Sequence, residues 1–481
     1  MDSDRADGGD GDDHFVDTGF DEKKHPHDGN DFFDGGAGID TAHFGQSEQG
    51  IHADLAAGRA TGQGRDRFTD VEGIRGSLFD DNITGDDGAN RLNGEYGKDI
   101  VNGRGGPDLV AGGPDDDQLD GGEGIDTVSF EWQVIVNLAA RAATGEGSDV
   151  LDGLENVTAS YGSDILIGDG GPNVLDGGRG RDKLRGLDGD DRLLGGPLET
   201  IEGRPITAER DELVGGLGND VLNGAWGRDL ADFGTSSTGV VADLTSGTAT
   251  GEGTDSLVHM ENLAGSGYDD TLIGDDERNG LRGRPGNDIL RGSAGDDLLD
   301  GGINDDRIDG GDGIDTLNLK RAVTAITVDL LAGTATGEGS DSISFVENMN
   351  GSIHADVLTG DTGVNTIIGN SGRDTIHGGA GNDVLNGMAG DDTIFGGDGD
   401  DEMFDFEGFD RVSGEAGDDY FRTGIDDDHF DGGPGIDTAD FVDSTRGMSV
   451  DLVAGTTSTK GDQGSDTISF IETVSWKIYT D

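Results

Sequence analysis

The chain has 481 residues, 92 of them Gly, and its 101 acidic against 32 basic side chains give a formal net charge of −69. With 31% hydrophobic and 5% aromatic residues, it argues against the single large apolar core of an enzyme this long. The charge repels nucleic-acid phosphate and anionic lipid, which leaves cations as the natural partners.

There is no Cys, so no disulfide and no thiolate metal site. No apolar run approaches the roughly 18 residues of a membrane-spanning helix. The opening Met1-Asp-Ser-Asp-Arg-Ala-Asp-Gly8 lacks the basic start and apolar stretch of a signal peptide, so an export route is not visible at that end. Low hydrophobicity and high charge alone would describe a disordered chain. The order of the Gly and Asp residues overrides that reading. A strict Gly-Gly-x-Gly-x-Asp pattern opens nine times, at Gly8, Gly35, Gly121, Gly177, Gly215, Gly310, Gly378, Gly396 and Gly432. Residue frequencies allow roughly one such match by chance. Looser copies fill the gaps in phase, with Asp or Asn at position 6 and an aliphatic residue at position 8.

In chain order, residues 1–44 read as a partial array carrying Asp13 and Asp40. His25 and His27 interrupt it and read as a loop, because no third ligand follows at zinc spacing. Residues 45–75 form a spacer. Residues 76–130 form an array, six unbroken nonapeptides from Gly76 to Ser129 with Asp81, Asn90, Asp99, Asp108, Asp117 and Asp126 at position 6. Position 8 holds Ile83, Leu92, Val101, Val110, Leu119 and Val128. After a spacer at 131–161, residues 162–233 form an array with Asp182, Asp191 and Asp220, interrupted by an insert at 197–210 that reads as a loop bulging from one turn. The spacer 234–267 leads to the array 268–319, with Asp288, Asp297, Asp306 and Asp315. The spacer 320–350 leads to the longest array, 351–440, with Asp374, Asp383, Asp392, Asp401 and Asp437. Residues 441–481 read as a C-terminal spacer or cap, ending about where another array would open. Each spacer but the last holds a short alternating strand such as Val134–Leu138, an Ala-Thr-Gly-x-Gly turn at Ala60, Ala143, Ala249 or Ala335, and then Glu72, Glu155, Glu261 or Glu347.

Nine residues divide into a turn of six and a strand of three. Gly at positions 1, 2 and 4 permits tight reversal and close backbone approach. The strand offers one inward side chain, at position 8, because side chains alternate. Two nonapeptides close one coil with a strand on each side, and stacked coils make two parallel sheets around a thin aliphatic core. The stacked turns form columns of carboxylates and carbonyls. Unneutralised, like charges at ~4 Å repel by about 1 kcal/mol per pair even in water. A cation between successive turns removes that repulsion. The donors are all hard oxygens, which suits Ca²⁺ with its six to eight oxygens in flexible geometry better than Zn²⁺ or Mg²⁺.

These residues resemble the haemolysin-type calcium-binding repeat (RTX nonapeptide) family, over nearly the whole chain. The resemblance implies an all-β fold, a parallel β-roll or β-solenoid of stacked nonapeptide turns with arrays joined by strand-rich spacers. It implies multiple Ca²⁺ ions between consecutive turns, with carboxylates from Asp13, Asp40, Asp99, Asp108, Asp117, Asp126, Asp182, Asp191, Asp220, Asp288, Asp297, Asp306, Asp315, Asp374, Asp383, Asp392, Asp401 and Asp437 and carbonyls from turn glycines. It also implies secretion from bacteria and folding coupled to calcium, which is scarce inside cells and plentiful outside.

The second turn of each array departs from the pattern. It has Asn90, Asn173, Asn279 or Asn365 at position 6 and Asp86, Asp169, Asp275 or Asp361 at position 2, so weaker or differently built sites are expected there. Turns opening at Asp405 and Thr423, and Asp211 beside the insert, are doubtful. Phe32, Phe33, Phe404, Phe406, Phe409 and Phe430 read as core or cap. No zinc-protease helix, nucleophile elbow or phosphate loop is present, so no enzyme is expected. Three readings stay open: a stand-alone secreted calcium-binding protein, the non-catalytic part of a larger secreted enzyme or toxin, and a cell-surface adhesin whose cell-surface or matrix ligand is unknown.

Overall fold

The computed structural model describes residues 5–16, 29–62, 64–197, 209–404, 407–422, 427–441, 448–452, 456–459 and 466–475. His25, His27, Asp405, Phe406, Thr423 and residues 198–208 of the insert lie outside the described residues. Among the described residues there is no helix, and most strands are three residues long. The chain divides into two compact units, Met1–Asp232 with Glu252–Met260, and Phe233–Gly251 with Glu261–Asp481.

In the first unit, successive nonapeptides place their strands alternately in two sheets. Sheet neighbours are therefore 18 residues apart and parallel. Ile83, Val101 and Leu119 are aligned in one sheet. Ile74, Leu92, Val110 and Val128 are aligned in the other. Each of these side chains is at most 2% exposed. A three-residue strand can turn only its middle side chain inward, so the core is one aliphatic column per sheet. Burying each such side chain contributes roughly 1.5–3 kcal/mol.

Residues 131–161 do not leave this coil. Ile135–Asn137, Ala142–Thr144 and Ser148–Asp152 make an antiparallel meander. Its last strand takes the parallel place after Gln118–Asp120, aligning Leu119 with Leu151, and its first leads to Ile165–Ile167, aligning Val136 with Leu166. A spacer thus adds one reversed strand to an otherwise parallel ladder. Residues 45–75 do the same through His52–Asp54, Arg59–Thr61 and Arg65–Thr69. Across the insert, Leu184 aligns with Leu213 and Leu193 with Leu222, an interval of 29 rather than 18 residues. The excess is carried without loss of register.

The second unit repeats the design. One column runs from Leu263 through Leu281, Leu299, Leu317 and Met349 to Ile367, then through Leu385, Met403 and Phe421 to Ala439. Another runs Val328, Leu358, Ile376, Ile394, Val412, Phe430, Ile468. Phe33 and Phe430 are core residues: Phe33 stacks on Phe68 and packs at a tilt against Phe15, and Phe430 meets Phe421 edge-on. Phe32 and Phe404 are half-buried. Phe409 corrects the expectation, being 59% exposed. It occupies position 5 of its turn, as do the exposed Ile125, Ile314 and Ile436, and the side chain before a buried position 6 faces solvent.

Candidate metal centre

The turns stack with the same interval as the strands, and their glycines make room for oxygen atoms. In the turn Gly396–Asp401, Gly397 has φ +120° and Gly399 has φ +137°. A Cβ on either would fall within 3 Å of a backbone carbonyl of the preceding coil, that of Gly379 or Gly381. A Cβ on Gly396 would fall within 3 Å of both Asp401 Oδ2 and the carbonyl of Gly414 in the next coil. Carbonyls at positions 2 and 4 therefore face the following coil, the carbonyl at position 1 faces the preceding one, and the position 6 carboxylate lies among them.

A ladder fixes each carboxylate. The backbone N–H of a position 6 residue donates to Oδ1 of the position 6 Asp one coil on. Asp99 donates to Asp117 at 2.8 Å, Asp108 to Asp126 at 2.7 Å, Asp288 to Asp306 at 2.8 Å and Asp383 to Asp401 at 2.8 Å. The insert does not break it, since Asp191 donates to Asp220 at 2.8 Å. At the spacers a Glu takes over as acceptor, Glu155 for Asp126 at 2.8 Å and Glu347 for Asp315 at 2.8 Å.

The other oxygen has a different fate. In all eighteen carboxylates singled out from the sequence, Oδ2 is buried and has no hydrogen-bond partner. These are Asp13, Asp40, Asp99, Asp108, Asp117, Asp126, Asp182, Asp191, Asp220, Asp288, Asp297, Asp306, Asp315, Asp374, Asp383, Asp392, Asp401 and Asp437. Apart from the half-buried Asp13, none is more than 4% exposed. A buried anionic oxygen without a donor costs several kcal/mol unless something positive meets it. Among the described residues no three His, Cys, Asp or Glu side chains converge. Each turn brings one carboxylate and surrounds it with carbonyls, so the donor set is entirely oxygen and mostly main chain. Such a set fits a hard cation of flexible coordination.

Proton affinities report the same crowding. Burial, and then the neighbouring Asp81 and Asp117, push Asp99 up to about 8. Burial, then Asp211 and Asp164, push Asp182 up to about 8. Burial, then Asp288 and Asp341, push Asp306 up to about 8. Asp374 and Asp401 rise to about 7, again through burial first and adjacent array carboxylates second.

The Asn-bearing turns are differently built. Asn90 Oδ1 accepts from Asp86 N–H at 2.7 Å, and Asp86 Oδ1 accepts from Gly88 N–H at 2.7 Å and from the Asn90 amide at 3.2 Å. Asn365 and Asp361 repeat the arrangement. The opening turns also close on themselves where Ser is at position 2. Ser77, Ser266 and Ser352 donate both N–H and hydroxyl to Asp81, Asp270 and Asp356. Sequence reasoning passed over Asp149, Asp164 and Asp419, whose Oδ2 atoms are also buried and unbonded. Asp419 was legible by phase, although Glu415 replaces the second Gly and takes its positive φ of 67°.

A family model described as RTX calcium-binding nonapeptide repeat matches residues 27–42, 75–110, 94–128, 158–196, 207–235, 282–317, 350–385, 377–404 and 405–439, more than half of the chain. No curated protein matches the chain.

Proposed function

The chain belongs to the RTX calcium-binding nonapeptide repeat family, and from that premise we propose that it is a secreted protein whose folding is driven by Ca²⁺ held between its stacked turns. The observation that carries this reading is the column of buried carboxylate oxygens with no partner. The eighteen Asp residues would each supply Oδ2, and the position 1, 2 and 4 carbonyls of adjoining turns would complete the shell. When bound, Ca²⁺ supplies the positive charge that permits these carboxylates to be both buried and ionised. The residues do the rest: Oδ1 is locked by the backbone N–H of the position 6 residue one coil before, which orients Oδ2, and the aliphatic column keeps water from the strand side.

Calcium bound only by the folded chain shifts folding by mass action. Extracellular calcium modules commonly have affinities near 10⁻⁴–10⁻³ M, so the roll would remain open where calcium is scarce and close outside the cell. The role is binding rather than catalysis, because these carboxylates offer one oxygen to a backbone N–H and the other to the interior, and neither to a substrate.

Far-UV circular dichroism of the chelated chain, titrated with CaCl₂ and separately with MgCl₂, tests this. A cooperative gain of β signal with calcium alone is expected. A chain already β-structured in chelator, or still disordered at ~10 mM calcium, overturns calcium-driven folding. Asp383→Ala or Asp401→Ala should move the calcium midpoint upward, and unchanged midpoints would remove the ligand assignment.

A further inference from the structure

The last turns of the arrays present half of a cation site. Asp117, Asp220 and Asp306 each carry a buried, unbonded Oδ2. The family match stops at residues 128, 235 and 317, and the coil that follows each of these turns in its column is a spacer. That spacer nevertheless delivers an equivalent turn. Thr144-Gly-Glu-Gly-Ser-Asp149-Val-Leu151 has the nonapeptide spacing with Thr in place of the first Gly. Asp149 Oδ1 accepts from Asp117 N–H at 3.0 Å, which continues the ladder. The N–H of Asp115, at position 4, donates to the Glu146 carbonyl at 2.9 Å. A Cβ on Gly147 would fall within 3 Å of the Asp115 carbonyl, the same approach that the Gly381 carbonyl makes to Gly399.

Asp149 is 3% exposed and its Oδ2 has no hydrogen-bond partner. Two other boundaries share the ladder and the carbonyl approach, at Asp255, 8% exposed, and at the half-buried Asp341, while of the three it is Asp149 whose Oδ2 is buried without a partner. Asp255 accepts from Asp220 N–H at 3.0 Å, and the Gly218 carbonyl approaches Gly253. Asp341 accepts from Asp306 N–H at 3.0 Å, and the Asn304 carbonyl approaches Gly339. The differences lie at position 1, where Thr144, Thr250 and Thr336 end antiparallel strands instead of opening a turn.

We infer that Asp149, Asp255 and Asp341 are calcium ligands, each holding an ion against the preceding array turn together with Asp117, Asp220 or Asp306 and the carbonyl of Asp115, Gly218 or Asn304. The inference rests on the calcium-binding reading of the arrays and extends it to spacers that the repeat match leaves out. A spacer is then a closing plate that completes the last ion site of the array before it.

The test is equilibrium dialysis of the full chain against saturating ⁴⁵Ca²⁺, beside the variant Asp149→Asn, Asp255→Asn, Asp341→Asn. Asn keeps the Oδ1 acceptor of the ladder and removes the charged Oδ2. One ion fewer per substituted position is expected, with an unchanged β signal at saturation. Equal ion counts overturn the inference and leave the array reading standing. An unmodified chain that binds no calcium overturns both. If the variant does not reach the β signal, calcium-grown crystals of the unmodified chain decide. An ion beside Asp149 and the Asp115 carbonyl supports the inference, and its absence overturns it.

Discussion

At the scale of single residues, the position 6 Asp has two unlike oxygens, and each sets an expectation. Array carboxylates such as Asp99 and Asp108 hold protons more tightly in the folded chain than the ordinary carboxylate does, up to about 8 for Asp99 and about 6 for Asp108. A raised folded pKa contributes stability that is complete below the unfolded value, near pH ~4. It is lost as pH rises through the folded values, about 6 to about 8. In chelator, the β signal should therefore grow on acidification across that window. With limiting calcium the trend should reverse, because protons then compete for Oδ2. Circular dichroism at fixed free calcium across pH would read both, and a chelated chain indifferent to pH would contradict the burial argument. Glycines can be ranked in the same way. Gly397→Ala places a Cβ against the Gly379 carbonyl at φ +120° and should destabilise the calcium-loaded chain by about 2 kcal/mol or more in urea unfolding. At Gly170 a Cβ meets nothing within 4 Å, so Gly170→Ala should be close to neutral.

At the scale of turns and strands, two kinds of turn coexist. Those of Ser352–Asp356 and Asp361–Asn365 satisfy their own polar atoms, whereas Gly396–Asp401 leaves Asp401 Oδ2 unbonded. In chelator, hydrogen exchange at the amides of Ser352, Asp361 and Gly363 should be slower than at Gly397 and Gly399. Uniform exchange along residues 351–440 would show that self-closed turns confer no local stability. The strands and their inward residues were legible because a period of nine leaves one place for an aliphatic side chain, and Leu358, Ile376 and Ile394 fill it. The carboxylates were legible through the same phase. The path of the spacers was less so. Thr144 interrupts the Gly signature of the turn that ends at Asp149, and the reversed strand Ala142–Thr144 puts that turn 32 residues after Asp117 instead of 18. Phe409 was misread because aromatic character suggested core, while its place in the turn turned it to solvent.

At the scale of the whole molecule, a formal charge of −69 opposes any compact state, and the exposed part of it is open to screening. The buried Oδ2 atoms are not, since dissolved salt screens exposed charges over roughly 8–10 Å and buried ones far less. Sodium chloride at ~0.5 M should therefore contract the chelated chain without producing the β signal expected with calcium. Light scattering alongside circular dichroism separates the two effects. Folding by monovalent salt alone would mean that net repulsion, and not the buried carboxylates, holds the chain open.

The ladder also has a sense of direction. Every rung runs one way, from the amide of an earlier coil to the carboxylate of a later one, and Glu472 ends the final series by accepting from Asp437 at 3.0 Å. The two faces of a stack are thus chemically unlike. A chain ended between Asp437 and Glu472 would strand the Asp437 N–H, while one begun after Asp356 would free the Asp374 Oδ1 and strand the Thr375 N–H, which donates to the Asp356 carbonyl at 2.8 Å. Loss of coils at either end therefore leaves amides without acceptors, so a stack rebuilt in sections should hold together only where each end is closed by a segment that supplies the missing oxygens.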